Sequence, residues 1–276
     1  MARFTNQAQL AYRNRITTSN IAVGEILEVL SAAKHAVVET YESYDVITYV
    51  VSLVNSGTTA LTGLVLTDNL GAYTFNEASL FPLQYVANSL KYYVNGVLQT
   101  SPVIASQEPL QIEGISIPAQ GNAVVIYQAA LTQFAPSATN STITNQAVIS
   151  GTGISSITVE ETISALAEPI LNITKSISPV PVTENGALTY TFVIENRGNV
   201  PADPVDLIVI TDQFNPILSD LTVTFNGTAW AEGTQYTYDQ TTGLFTTKAG
   251  EITVPAATFT QNADGSIVWD SKGNDI

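Results

Sequence analysis

Asp45-Val-Ile-Thr-Tyr-Val-Val-Ser-Leu-Val-Asn-Ser-Gly57 reads as a β-strand closed by an Asn-x-Gly turn. Tyr49, Val51 and Leu53 fall on one face of it, and Val50 and Ser52 on the other. The first face is the more apolar and is expected to point inward. The same phrase returns as Gly186-Ala-Leu-Thr-Tyr-Thr-Phe-Val-Ile-Glu-Asn-Arg-Gly198. A phrase that recurs at this distance marks a repeated structural unit, and it decides the architecture before any single residue does.

Working outward, the two copies keep step. Leu64-Val-Leu-Thr-Asp68 matches Ile208-Val-Ile-Thr-Asp212, and Tyr93-Val-Asn95-Gly96 matches Thr224-Phe-Asn226-Gly227. Asn-Gly between apolar alternations is a strong hairpin signal, because both positions accept positive φ. Ile115-Ser-Ile-Pro118-Ala matches Ile252-Thr-Val-Pro255-Ala, and Lys34 precedes the first copy as Lys175 precedes the second. Apolar runs about 8–12 residues apart, with Gly, Asn and Pro between them, favour a sandwich over a parallel α/β sheet. The only helix-compatible stretch, Ile26 to Ala36, is read as a strand, because its counterpart around Leu171 to Lys175 is β-branched. The expected fold is all-β: two tandem immunoglobulin-like β-sandwich domains, 31–168 and 169–276, behind an N-terminal arm of residues 1–30.

Composition agrees. Charged residues are 12% of the 276, against about 25% in ordinary globular chains. Acidic residues outnumber basic ones 24 to 9, for a net charge of −15. Such a surface repels nucleic acid and anionic membranes and aids solubility. With no cysteine, disulfides and thiolate metal sites are excluded. No apolar run is long enough to cross a bilayer. The amino end shows no apolar core of a secretory leader, so either a leader has been removed or the protein leaves the cell by another route, such as lysis of a surrounding cell.

The ordered set Lys34, Thr48-Tyr49 with Asn55 and Gly57, Thr67-Asp68, and Thr144-Asn145-Gln146-Ala147 resembles the bacterial and archaeal surface repeat catalogued as domain of unknown function eleven. The resemblance covers nearly the whole chain. It implies a sandwich in a cell-envelope or appendage protein, and it implies no catalytic activity.

The second copy does not reach a Thr-Asn-x-Ala strand, yet that signature stands at the front as Thr5-Asn6-Gln7-Ala8. Leu10 and Tyr12, a turn at Arg13-Asn-Arg15, and then Ile21 and Val23 complete an apparent last hairpin of a repeat. A sandwich short of its final strands exposes unpaired backbone, and a lone hairpin is only marginally stable. Each defect cures the other. The arm would complete a neighbouring copy head to tail, close on its own chain, or fold back on the first repeat.

Reactive sets are scarce. His35 is the single histidine, stands beside Lys34 with no partner that its spacing nominates, and is expected at the surface or rim rather than in a triad or histidine metal site. Phosphate loops are absent, and the scattered carboxylates lack the spacing of a calcium loop, although Asp203, Asp206 and Asp212 together could hold a calcium ion. The Asn-x-Ser/Thr triplets at Asn140, Asn172 and Asn226 are what a Thr-rich chain yields by chance. One constellation remains. The order of Lys34, Asp68 and Asn145 resembles the collagen-adhesin type of domain, which implies an amide bond between Lys and Asn assisted by a protonated acid. A buried Lys–Asp ion pair accounts for the same residues. In the second copy Lys175 and Asp212 hold the matching places, and Asn6 is the counterpart of Asn145. No cofactor or metal is expected. The chain reads as a non-enzymatic subunit of an extracellular or spore-surface fibre whose partner is itself, with a monomeric surface adhesin as the alternative.

Overall fold

The structure is a computed structural model and describes residues 2–26 and 28–276. It is built of strands, with one 3-10 turn at Pro204–Asp206. The fold is all-β and immunoglobulin-like, in two compact units. Unit 1 takes in the chain as far as Glu39, then Tyr44–Thr132 and Ile143–Ile163. Unit 2 is Thr40–Ser43, Gln133–Thr142 and Ser164–Ile276. This differs from a division at residue 168 because two short stretches hydrogen-bond into the second unit. Thr40 and Tyr41 lie parallel on Ser164 and Ala165, and the Ile267 N–H donates to the Gln133 carbonyl at 2.7 Å.

Unit 1 is a two-sheet sandwich. One sheet runs, edge to edge, Val97–Gln99, Lys91–Val94, Asn122–Leu131, Val46–Asn55 and Leu30–Ala36. The other runs Val103–Gln107, Leu110–Ile117, Leu61–Asp68, Thr142–Ser150 and Ile157–Ala165. Alternation sends one side of each strand inward. Tyr49, Val51 and Leu53 are fully buried, as are Val125 and Tyr127, paired in register opposite Val51 and Tyr49. From the second sheet come Leu64, Leu66, Ile112, Ala147 and Ile149. Each buried large aliphatic side chain contributes about 1.5–3 kcal/mol relative to exposure. The Asn-Gly hairpins form at both sites, with positive φ at Asn95, Gly96, Asn226 and Gly227.

Unit 2 follows the same plan less completely. Leu171–Ser178, Thr189–Asn196 and Lys272–Asp275 make one sheet, and Thr211–Gln213, Leu244–Thr247 and Tyr236–Asp239 another. Its core gathers Phe192, Ile194, Ile210, Ile252 and Val254, with a second cluster around Phe214, Tyr238 and Phe245.

The repeated Asn-x-Gly proves to be more than a turn. Asn55 is fully buried: its Nδ2 donates to the carbonyls of Thr59 and Pro118, and its Oδ1 accepts from the Gly57 N–H. Asn196 does the same work, donating to Val200 and accepting from Gly198 and Ile170. Each amide satisfies loop backbone groups that would otherwise be orphaned inside the protein.

The arm is a hairpin. Ala2–Asn6 pairs with Ala22–Ile26, and Gln9–Tyr12 with Arg15–Thr18, across a tight turn with positive φ at Arg13 and Asn14. Among the described residues these four strands pair only with one another.

Candidate functional site

Three strands of unit 1 place three polar side chains in one apolar core. Leu30–Ala36 brings Lys34, Leu61–Asp68 brings Asp68 at its end, and Thr142–Ser150 brings Asn145. Lys34 is 2% exposed, and Asp68 and Asn145 are wholly buried. The Lys34 Nζ lies 2.5 Å from Asp68 Oδ2 and donates also to the Asn145 backbone carbonyl at 2.9 Å. The Tyr49 ring sits under the ammonium, 4.8 Å from its centroid, and stacks on Tyr127. The Tyr127 hydroxyl donates to the same Asp68 oxygen, and Asp68 Oδ1 accepts from the Leu70 N–H.

The Asn145 carboxamide is the exception in this network. Neither its Oδ1 nor its Nδ2 has a hydrogen-bond partner. The Tyr127 hydroxyl gives its proton to Asp68, and the Asn145 side chain lies close enough to that hydroxyl for a side-chain interaction that lowers the Tyr127 pKa. A buried polar group left unpaired costs about 1–3 kcal/mol. The other two fully buried asparagines, Asn55 and Asn196, are fully engaged at the same amide atoms, so Asn145 stands apart.

Electrostatics push Lys34 toward its neutral amine. Burial lowers its pKa, and the charge of Asp68 only partly offsets this. Burial likewise drives Tyr127 well above the ordinary tyrosine range, with Asp68 adding to the shift. The sign is testable. A group whose pKa is raised by folding stabilises fully below its unfolded value of 10.0 and loses that contribution as pH climbs toward the folded value. Lys34, lowered by folding from 10.5, acts oppositely and is spent above 10.5. Urea unfolding of the whole chain above pH 10.5 is therefore expected to show stability falling with pH. The slope should be shallower in Tyr127→Phe, and an identical slope in the two proteins would refute the assignment.

Unit 2 repeats half of this arrangement. Lys175 Nζ lies 2.5 Å from Asp212 Oδ2 and 4.6 Å from the Tyr190 ring centroid, matching Tyr49 in the first repeat. Here, however, the Lys175 side chain is 41% exposed and that of Asp212 17%. All of Leu171–Ser178 is solvent-facing. The cause is an uncovered edge. In unit 1, Leu61–Asp68 is flanked by Leu110–Ile117 and by Thr142–Ser150. In unit 2, Thr211–Gln213 pairs among the described residues only with Leu244–Thr247, the counterpart of the former. An open groove of about 310 Å³ runs beside it, walled by Tyr190, Phe192, Phe214, Leu221, Phe245 and Ile276.

Asn6 sits apart from both centres, on the arm. Thr5, Asn6, Gln7, Ala8, Leu10, Tyr12, Ile21 and Val23 are all exposed. Leu10 and Tyr12 are more than half exposed, as are Phe4 and Ile16. Alternation puts Phe4, Asn6, Ala8 and Leu10 on one face. Their sequence counterparts in unit 1 are Ile143, Asn145, Ala147 and Ile149, every one buried.

His35 is exposed and lies 3.7 Å from Glu161. The Asp206 carboxylate accepts from the Asp203 N–H, and Asp212 is engaged by Lys175. Among the described residues no group of three or more His, Cys, Asp or Glu converges as a metal site, and no helix is long and apolar enough to cross a membrane. Sequence reasoning missed Tyr127, although its inward place in the alternating strand Asn122–Leu131 was a usable signal.

Fold and site together define a repeat protein with one closed and one open sandwich. No family model matches the chain, and no curated protein does. Among solved structures it is similar to BcpA, the major pilin subunit of Bacillus cereus, at 11% identity and a TM-score of 0.37, covering 98% of this chain and 74% of that one. The pilus backbone protein RrgB of Streptococcus pneumoniae is 10% identical at a TM-score of 0.35, with 90% of this chain and 49% of that one covered. ACE19, the collagen-binding subdomain of the Enterococcus faecalis surface protein ACE, is 8% identical at 0.31 over 51% of this chain and 99% of its own. At these scores the likenesses are loose and assign no activity.

Proposed function

We propose that the protein is the structural subunit of an extracellular fibre, in which the N-terminal arm of one copy fills the open edge of unit 2 in the next. The observation that carries this is the arm's Thr5-Asn-Gln-Ala, identical to the Thr144-Asn-Gln-Ala of the strand that closes unit 1. In unit 1 that strand pairs Ala147 with Asp68. The same register sets Ala8 against Asp212 and turns Phe4 and Leu10 into the apolar groove. An exposed sheet edge and an exposed apolar hairpin are each an aggregation liability alone, and strand addition removes both. Because donor and acceptor lie on different parts of one chain, the contact is head-to-tail and propagates.

The membership suggested by the surface-repeat motifs agrees with an appendage role and with an extracellular or spore-surface site. Deleting residues 1–22 is expected to abolish fibres in negative-stain micrographs and leave soluble monomers, whereas fibres of undiminished length would overturn the reading. Wild-type chain that stays monomeric and is equally monomeric after the deletion would point to closure within one chain, and would overturn it as well.

A further inference from the structure

We propose that the arm's turn, Arg13-Asn14-Arg15, docks on an acidic turn of a second copy's unit 2, at Asp203 and Asp206, and that this contact guides the arm to its register. The contact rests on the fibre reading above.

The arm is basic in an acidic chain. Residues 1–24 hold Arg3, Arg13 and Arg15 and no Asp or Glu. With those three of the nine basic residues set aside, the remainder carries six basic against 24 acidic side chains, a net charge of −18. Arg13 and Arg15 are exposed where Gln9–Tyr12 turns into Arg15–Thr18. A basic tip of this kind is drawn to the acidic surface of another copy.

Register says which part of that surface it meets. In unit 1, Val148 pairs with Thr67 and Ser150 with Val65, and Gly151 then comes against Leu64 and Gly63. Carried to unit 2, this register sets Ala11 against Val209 and Arg13 against Leu207, and lays Asn14 beside Asp206. The backbone shows the correspondence: Gly63 and Leu207 both have positive φ, 65° and 53°, which is uncommon for a leucine. Asp203 and Asp206 are exposed, and the Asp203 N–H donates to Asp206 Oδ2 at 2.7 Å, which keeps the two residues together.

This acidic turn has no equivalent in unit 1. The buried asparagine holds the Thr59 carbonyl in the first copy and the Val200 carbonyl in the second. From there to the matching Leu64 and Ile208 is five residues in one case and eight in the other, so unit 2 has three more, and both acids lie in that stretch. In unit 1 the segments that meet here, 56–63 and 150–157, hold no charged residue. A strand that closes its own sandwich is delivered by the chain. A strand from another molecule has to find its edge among like-charged surfaces, and opposite charges at the rim act chiefly on that encounter.

Assembly of the whole chain, followed by light scattering at low salt, tests the contact. Arg13→Glu with Arg15→Glu is expected to assemble about tenfold more slowly than the wild type, the low end of electrostatic steering. The gap should close toward about 1 M salt, where screening leaves a reach of about 3 Å. Adding Asp203→Lys and Asp206→Lys to that variant should restore the rate. Lys91→Glu with Lys248→Glu, which shifts net charge equally, should slow assembly far less. A reversed tip that assembles at the wild-type rate, a control as slow as the reversed tip, or no rescue by the added lysines would each overturn the contact while leaving strand insertion standing.

Because the chain has no cysteine, the register can be read directly. Opposed strand residues lie about 4.5–5.5 Å apart at Cα, within disulfide reach. Oxidised fibres of Ala11→Cys with Val209→Cys should run as a ladder in detergent without reductant and as one band with it. Fibres that give no ladder would overturn the register and the contact with it. Wild-type chain that forms no fibres, or fibres that survive deletion of residues 1–22, would instead remove the reading beneath.

Discussion

Asp68→Ala is expected to destabilise unit 1 by about 3–5 kcal/mol, the range seen when one member of a buried ion pair is removed. The substitution strips Lys34 of its 2.5 Å partner in a site where both side chains have no exposure. It also leaves the Tyr127 hydroxyl and the Leu70 N–H without the carboxylate oxygens that accept from them. Lys34 keeps one hydrogen-bond acceptor, the Asn145 carbonyl at 2.9 Å, and the Tyr49 ring beneath it, neither of which can neutralise a charge. The amine can shed its proton, as burial already favours, and that keeps the loss from growing larger. The double variant Lys34→Met with Asp68→Leu separates charge from packing. Apolar replacements of similar volume at a buried pair are often neutral or stabilising, so the double variant should be more stable than Asp68→Ala alone. Urea unfolding of the full chain measures both. A loss below about 1 kcal/mol, as for an exposed pair, would show that the pair is not sealed from water.

Much of this centre was legible in the sequence, and the illegible part has a physical cause. The repeat places Lys34, Asp68 and Asn145 on three strands, but each strand has two faces, and spacing alone does not say whether three strands from two sheets turn their polar residues to one core. The Tyr49 face could be chosen because Val51 and Leu53 share it. Lys34 offered no such help, since Ala32 and Ala36 beside it suit either face. Asn55 and Asn196 read as turn residues because Asn before x-Gly is common turn chemistry, and their burial depends on carbonyls such as those of Thr59 and Val200 that lie outside the motif. The division near residue 168 missed Thr40–Ser43 and Gln133–Thr142, which carry no repeat signature and join unit 2 through backbone hydrogen bonds. The repeat also showed the second copy without a Thr-Asn-x-Ala strand, and among the described residues Thr211–Gln213 has Leu244–Thr247 as its one strand partner, where Leu61–Asp68 has two.

Tyr49→Ala is expected to cost about 3–5 kcal/mol, the range for emptying a large aromatic site in a packed core. Tyr49 has no exposed surface and stacks on Tyr127 with ring centroids 5.7 Å apart. Its ring also forms the floor beneath the Lys34 ammonium at 4.8 Å. Truncation removes the buried area, the stacking and the cation–π contact together, and the last two add to the area term. The strand's outward face supplies the control. Val54 is 46% exposed, and Val54→Ala should lie near the ±0.5 kcal/mol typical of surface changes. Because the two positions share one strand, a comparison of their denaturation midpoints cancels strand propensity and leaves burial as the difference. Equal midpoints would mean that the Tyr49 face is not the interior of unit 1. A large gap would show that the ring fills the core of unit 1.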